Sequence, residues 1–298
     1  MANSNVDAWI PEIWAHEVLR HLKANLVLGR LVNRDYDHHV AQDGDVINVP
    51  LPPVLEAQNK VAGDPFDRAP VTATTTPVPL DRHVVSAFEV DNIAKIQARP
   101  DVMSNYGRAA AIAIAERVES DIFAEHENAG HNVGSAGDLL VKTDLLTARR
   151  HLVDSKVPMT EGRWAVISTK DAEALLDDLS TTQGTPMSGD QSALREGAIG
   201  MLYGFSVYES QLAPVVSGSP DETFGLAGHR DGVVFVTRPL RAPEGAGVRV
   251  ANVTDADVGI TLRVMMSYNH LTMQEIVSYD VLYGVATVRD TFLVELLS

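Results

Sequence analysis

Residues 41–92 constrain the fold more than any other stretch, because they call for strand that leaves the body of the protein. GDVINVPLPPVLEAQ is strand-like and broken by prolines. A polar tip follows (NKVAGDPFDRAP), then the Thr-rich VTATTTPVPLDRHVVSAFEVD. From Leu80 the period is two: Leu80, Val84, Phe88 and Val90 share one face, and Asp81, His83, Glu89 and Asp91 the other. The pattern predicts a long two-stranded excursion with its tip near Gly63. About twenty residues of strand reach roughly 60 Å, against a radius of gyration near ~19 Å for a compact chain of this length. An isolated ribbon is barely stable in water. The excursion is therefore expected to lie on a neighbouring subunit.

The rest of the chain is ordinary globular material, with 45% hydrophobic and 21% charged residues over 298 positions. Lys plus Arg is 24 and Asp plus Glu is 40, a formal charge of 24 − 40 = −16. Such a balance argues against phosphate-led nucleic-acid binding over the general surface. The absence of cysteine removes disulfides, thiolate metal sites and cysteine nucleophiles. The opening residues lack a basic start and an apolar core, so no targeting peptide is read there. The longest apolar run, AAAIAIA at 109–115, is flanked by Arg108 and Glu116 and is far short of a membrane span. The expectation is a soluble, non-secreted protein.

Residues 1–40 read as an amphipathic arm. Pro11 suits a first helical turn, and Ile10, Ile13, Trp14, Val18, Leu22 and Leu26 recur at three- and four-residue steps. Glu12, Glu17, Arg20 and Lys23 fill the other face, and Gly29 is expected to end the helix. Residues 101–128 give the clearest helix, with Val102, Tyr106, Ala110, Ile114, Val118 and Ile122 in one stripe. Glu116, Arg117, Glu119 and Asp121 are expected on its solvated side. A loop, ENAGHNVGSAGD, follows. Residues 138–250 then mix helix (DLLTARRHLVDSK, KDAEALLDDL) with strand (RWAVIST, GMLYGFSVYES, TFGLAGHRDGVVFVTRPL), around the loop STTQGTPMSGDQSALREG. The end is nearly all strand. Ile260, Leu262, Val264, Met266 and Tyr268 alternate, as do Val277, Tyr279, Val281, Tyr283 and Val285, with a turn near Asn269 and His270.

No constellation for catalysis emerges. HEVLRH at 16–21 has Arg20 where a zinc-protease helix needs its second histidine. His38 and His39 read as a surface pair, and His126 and His131 flank a glycine loop beside Glu125 and Glu127 without a metal-ligand pattern. GHNVGSAG has no phosphate-loop lysine, and Ser206 lacks the glycine two residues on that a nucleophile elbow requires. Asp177 and Asp178 are adjacent on a helix and point apart. No enzyme activity, cofactor or metal is expected.

An apolar arm holding Trp9 and Trp14 is a hazard unless a partner covers it. Arm and ribbon together point to self-assembly. In order and local wording the chain resembles the major capsid proteins of tailed bacteriophages, with the Hong Kong 97-type coat fold. The segments that carry the resemblance span nearly the whole chain. They are LVNRDYDHHVAQDGDVINVP, SAFEVDNIAKIQARPDVMSNYGRAAAIAIAERVESDIFAEH, SKVPMTEGRWAVIS, GMLYGFSVYES, FGLAGHRDGVVFVTRPL and SYDVLYGVATVRD.

The resemblance implies an α+β fold divided into an N-terminal arm (1–40), an extended loop (41–92), a peripheral domain with a long spine helix (93–155), an axial α/β domain (156–250) and return strands of the peripheral domain (251–298). It implies an icosahedral shell of hexamers and pentamers, assembled in the host cytoplasm and found in the virion. Partners would be copies of itself, portal and scaffolding proteins, decoration proteins in some members, and double-stranded DNA enclosed without specific binding. Neither a membrane nor a cofactor is implied. Candidate intersubunit contacts are Trp9 and Trp14 on the arm and Lys60, Asp64, Phe66 and Arg68 at the loop tip. Lys60 is the only lysine of the extended loop, but no asparagine and glutamate context for a covalent cross-link accompanies it. The chain opens directly on the arm, which favours a separate scaffold protein. Three alternatives remain open: an encapsulin-type nanocompartment shell, told apart by its contents, an enzyme with an unrecognised site, and a different virion or tail component.

Deleting residues 55–72 is expected to spare the subunit fold and impair shell formation. Circular dichroism and electron microscopy of the variant check this, and equally heat-stable particles would count against an intersubunit clasp.

Overall fold

The computed structural model describes residues 27–36, 46–51, 57, 59, 74–91, 101–159, 162–182, 200–238, 240–241, 248–254 and 260–298. In chain order these form α1 (Leu28–Leu31), β1 (Val46–Leu51), β2 (Thr74–Pro79), β3 (Arg82–Asp91), α2 (Asp101–Phe123), β4 (His131–Gly134), α3 (Lys142–Asp154), β5 (Arg163–Ser168) and α4 (Thr169–Thr182). Then come β6 (Gly200–Leu202), β7 (Phe205–Ser210), β8 (Val215–Val216), β9 (Glu222–His229), β10 (Val233–Arg238), β11 (Arg249–Thr254), β12 (Thr261–Asn269), β13 (Gln274–Thr287) and β14 (Leu293–Leu297).

The alternating run from Val277 to Val285 becomes β13, the organising strand of a five-stranded antiparallel sheet. One edge of β13 carries β3, from Asp91 opposite Gln274 to Arg82 opposite Tyr283. The other edge carries β12 and then β10 in succession. The expected inward faces hold: Ile260, Leu262, Val264, Met266, Val277, Tyr279, Val281, Tyr283 and Val285 are all buried. Tyr268, at the hairpin end, is instead half exposed. The expected turn lies between Asn269 and Gln274.

A second, seven-stranded sheet runs β4-β14-β9-β5-β7-β6, with β8 beside β9. RWAVIS is buried along its whole length as β5, as a central strand between β7 and β9 requires. The β6–β7 hairpin turns on Tyr203 and Gly204, both at positive φ (51° and 87°), the pairing that matches strand twist in a two-residue hairpin. Helices α3 and α4 cover one face through Leu145, Ala148, Leu152, Ala172 and Leu175. On the other face Trp164, Val166, Leu226 and Leu293 enter the same core as Phe235, Tyr279, Tyr283 and the α2 residues Ile114, Val118 and Ile122. The two sheets therefore share one interior.

Several details differ from the sequence reading, among them β4, which forms inside the expected loop ENAGHNVGSAGD. The second strand of the excursion ends at Pro79, and β3 belongs to the five-stranded sheet. The reason is packing: Val84 and Phe88 seat on the main core, with Phe88 stacked 5.4 Å from Tyr106. Gly29 sits inside α1 and does not end a helix. The long helix passes into a 3-10 turn at Ala124–Asn128. Glu119 and Asp121, expected in solvent, are buried because other elements supply their hydrogen bonds. The Tyr283 hydroxyl donates to Asp121 Oδ2 at 2.6 Å, and Thr287 donates to Glu125 from both N–H and Oγ1. Leu293–Leu297, at the end of the chain's closing strand run, pairs with β4 and β9.

Gly284 shows how tightly the ribbon root is seated. A Cβ there would come within 2.3 Å of the Pro79 carbonyl oxygen. Gly284→Ala is expected to lower stability by about 1–3 kcal/mol through overpacking. A melting curve reads this as a drop of several degrees, and an unchanged Tm would contradict the close approach.

Candidate assembly surfaces

The ribbon is built on a small core of its own. Strands β1 and β2 pair from Val46–Pro79 to Leu51–Thr74. Val49, Val78 and Leu80 bury against Val234 and Val236, the back of β10. Successive residues of β10 thus serve two cores, since Val233 and Phe235 face the main one. The root of the ribbon is thereby fixed to the back of β10.

A second fixture holds residues 27–36. Leu28 and Val32 are buried among α2 side chains. The Glu119 carboxylate on α2, 1% exposed, accepts the backbone N–H groups of Val27 and Leu28. Asn33 pairs with β10 through its own N–H to Val233 O and through Phe235 N–H to its carbonyl, both at 2.9 Å. Its side chain donates to Asp231 at 2.9 Å, and Arg230 reaches Asp35 at 2.6 Å. Residues 27–36 are thereby tied to both α2 and the five-stranded sheet.

Burial raises the Glu119 carboxyl from 4.5 to about 7, against the pull of the Val27, Leu28 and Gly29 N–H groups and the Arg30 charge. A raised carboxyl means that folding takes up a proton. This group's contribution is fully present below about 4.5 and is lost as pH rises from there through about 7.

Apolar side chains also project into water. Leu271 at the β12–β13 turn is 83% exposed, beside Tyr268 and Met273, and Met201 on the edge strand β6 is 77% exposed. Val215 and Val216 of β8, beside β9, are also more than half exposed. Residues of this kind mark contact surfaces when they cluster.

Trp9, Trp14, Lys60, Asp64, Phe66 and Arg68 all lie outside the described residues, as do His16, His21, His38 and His39. His126 and His131 do not converge: His126 Nδ1 lies 2.7 Å from Glu295 Oε1, while His131 Nε2 lies 3.1 Å from Ser155 Oγ. Among the described residues no group of three or more metal-ligating side chains is placed to hold an ion, and no helix is long and apolar enough to cross a membrane. Glu119 and Asn33 escaped the sequence reading; their partners are distant in sequence, and no local pattern marks them.

Solved structures share this arrangement. A chain of Mycobacterium phage Che8 superposes with a TM-score of 0.65 at 24% identity, over 91% of this chain and 90% of that one. The capsid of cyanophage P-SCSP1u gives 0.64 at 14% identity, over 91% and 87%. An encapsulin complex from Synechococcus elongatus gives 0.53 at 16%, over 86% and 82%. No curated protein matches the chain by sequence. The fold is therefore the Hong Kong 97-type coat fold. Residues 73–271 match the family described as phage capsid protein, and the chain belongs to that family as a major capsid protein.

Glu119→Gln removes the titration and keeps an acceptor. Wild-type stability is expected to fall by on the order of 3 kcal/mol relative to this variant between pH 4.5 and 7.5. Melting temperatures measured across that range check it, and parallel curves for the two proteins would contradict it.

Proposed function

We propose that copies of this chain assemble in the host cytoplasm as hexamers and pentamers, closing an icosahedral head around double-stranded DNA. The observation that carries this is the match of residues 73–271 to the phage capsid family. In this reading the five-stranded sheet with α2 is the peripheral domain. The seven-stranded sheet with α3 and α4 is the axial domain, and it takes β14 with it while β10 stays with the peripheral sheet. Residues 41–79 form the extended loop over a neighbour, with Lys60, Asp64, Phe66 and Arg68 at its tip. The arm, with Trp9 and Trp14, lies on an adjacent copy, beyond the fixture at Glu119.

A portal and a scaffold protein complete assembly in this reading, and decoration proteins are further partners. The role is structural and involves no catalysis. The charge of −16 suits an enclosure through which DNA must slide without being gripped. A nanocompartment shell around a protein cargo is the second reading, favoured by the likeness to the encapsulin complex, though at a lower TM-score than the phage structures.

Light scattering and negative-stain microscopy of the protein, expressed with its scaffold, test the proposal. The expected result is closed particles of megadalton mass, enclosing DNA when made in infected cells. Particles filled with a protein cargo would support the second reading, and a 32.2 kDa monomer under all conditions would overturn both.

A further inference from the structure

Helices α3 and α4 form one layer on the seven-stranded sheet, but they lie towards opposite ends of it. α3 packs on β4 and β14, and α4 packs on β5 and β7. Their outer faces carry opposite charge. Around α3 stand Arg149, Arg150 and Lys156, and none of them has an ion-pair partner among the described residues. The rings of His131 and His151 stack beside them at 4.7 Å. The acids here are Asp144, whose carboxylate accepts the Val141 N–H, and Asp154 at the end of the helix. Unpartnered cations are unexpected in a chain with 40 acids and 24 bases. The positive crowding registers on its neighbours. His151 is held below its ordinary value by burial and then by His131 and Arg150, and Arg163 by burial and then by Arg149.

At the other end, Glu173 and Asp177 are exposed and four residues apart, hence on one face of α4. Glu209 is exposed on β7, on the same side of the strand as Phe205 and Val207, which pack under the helices. Lys170 is the one exposed base of the α4 segment among the described residues.

We propose that this layer docks head to tail: Arg149, Arg150 and Lys156 of one copy face Glu173, Asp177 and Glu209 of the next. Two copies of a strongly acidic protein repel each other in most orientations. Here a basic end meets an acidic end, so the charges favour one orientation. An interface between two different patches repeats from copy to copy, and it closes into a ring when the rotation allows. The arrangement rests on the shell-forming function proposed above and deepens it, by assigning the contact that sets copies side by side in a capsomer.

Two full-length variants test it. Arg149→Glu/Arg150→Glu/Lys156→Glu has two acidic ends, and Glu173→Lys/Asp177→Lys/Glu209→Lys has two basic ends. Each alone is expected to need at least about tenfold more protein to associate, as read by sedimentation, with an unchanged Tm. An equimolar mixture is expected to recover association, with the two variants alternating. As a second reading on the unaltered protein, raising salt from about 50 to about 500 mM is expected to weaken association, because exposed charges are screened. Variants that associate like wild type, a folded mixture that fails to recover, or salt-independent association would each overturn the polarity. If wild-type shells still form in those cases, the capsid reading stands. A wild type that stays monomeric at low salt overturns the docking, whereas the capsid reading falls only if no particles form with the scaffold either. If the acidic-ended variant assembles normally but no longer retains added duplex DNA, the α3 face is a nucleic-acid contact and the proposal is wrong.

Discussion

The structure depends on a single apolar interior shared by two sheets. Trp164, Val166, Leu226 and Leu293 come from the seven-stranded sheet, yet they are buried with Phe235, Tyr279 and Tyr283 of the other sheet and with Ile114, Val118 and Ile122 of α2. Each such side chain contributes roughly 1.5–3 kcal/mol by leaving water. With the centre filled this way, the sheets cannot separate without exposing it. The body is therefore a stable platform, to which β1 and β2 are anchored at Val49 and Val78 and residues 27–36 at Leu28 and Val32.

Helix α2 and the 3-10 turn that follows it join these anchors through three carboxylates. Glu119 holds the chain at Val27 and Leu28, Asp121 accepts from Tyr283, and Glu125 accepts from Thr287. Arg82 of β3 approaches both Asp121 and Glu125, at 3.6 and 3.7 Å. Burying acids costs solvation unless hydrogen bonds replace the water. Here the donors come from residues 27–28 and from β13, with Arg82 of β3 adding its charge, so the acids fix the rotation and height of α2 against the sheet. Apolar packing alone would leave that register less sharply defined.

Much of this was legible in the sequence, because periodicity reports which face is buried. The β12 alternation up to Met266, the β13 alternation, the α2 stripe from Ala110 to Ile122 and the buried β5 appear where their patterns put them, whereas Tyr106 and Tyr268 are half exposed. What periodicity cannot report is a distant partner. Glu119 and Asp121 sit at polar positions of a helix and look solvated; their burial follows from residues more than ninety positions away. The division at Pro79 was hidden for a related reason. A strand on the ribbon and a strand in the body alternate alike, and only the seating of Phe88 on the core tells them apart. The candidate contacts at Trp9, Trp14 and the loop tip rest on the cost of exposed apolar surface and on the family resemblance; they fall outside the described residues.

The shell proposed above gives this division of labour its meaning: a body that keeps its own core, and a ribbon expected to lean on a neighbour. Hydrogen exchange on assembled particles and on dissociated subunits tests that claim most directly. Amides of Ile114–Phe123 should exchange equally slowly in both states, while those of Val46–Leu51 and Thr74–Pro79 should become markedly slower on assembly. Ribbon amides that exchange at the same rate in subunit and particle would contradict the account.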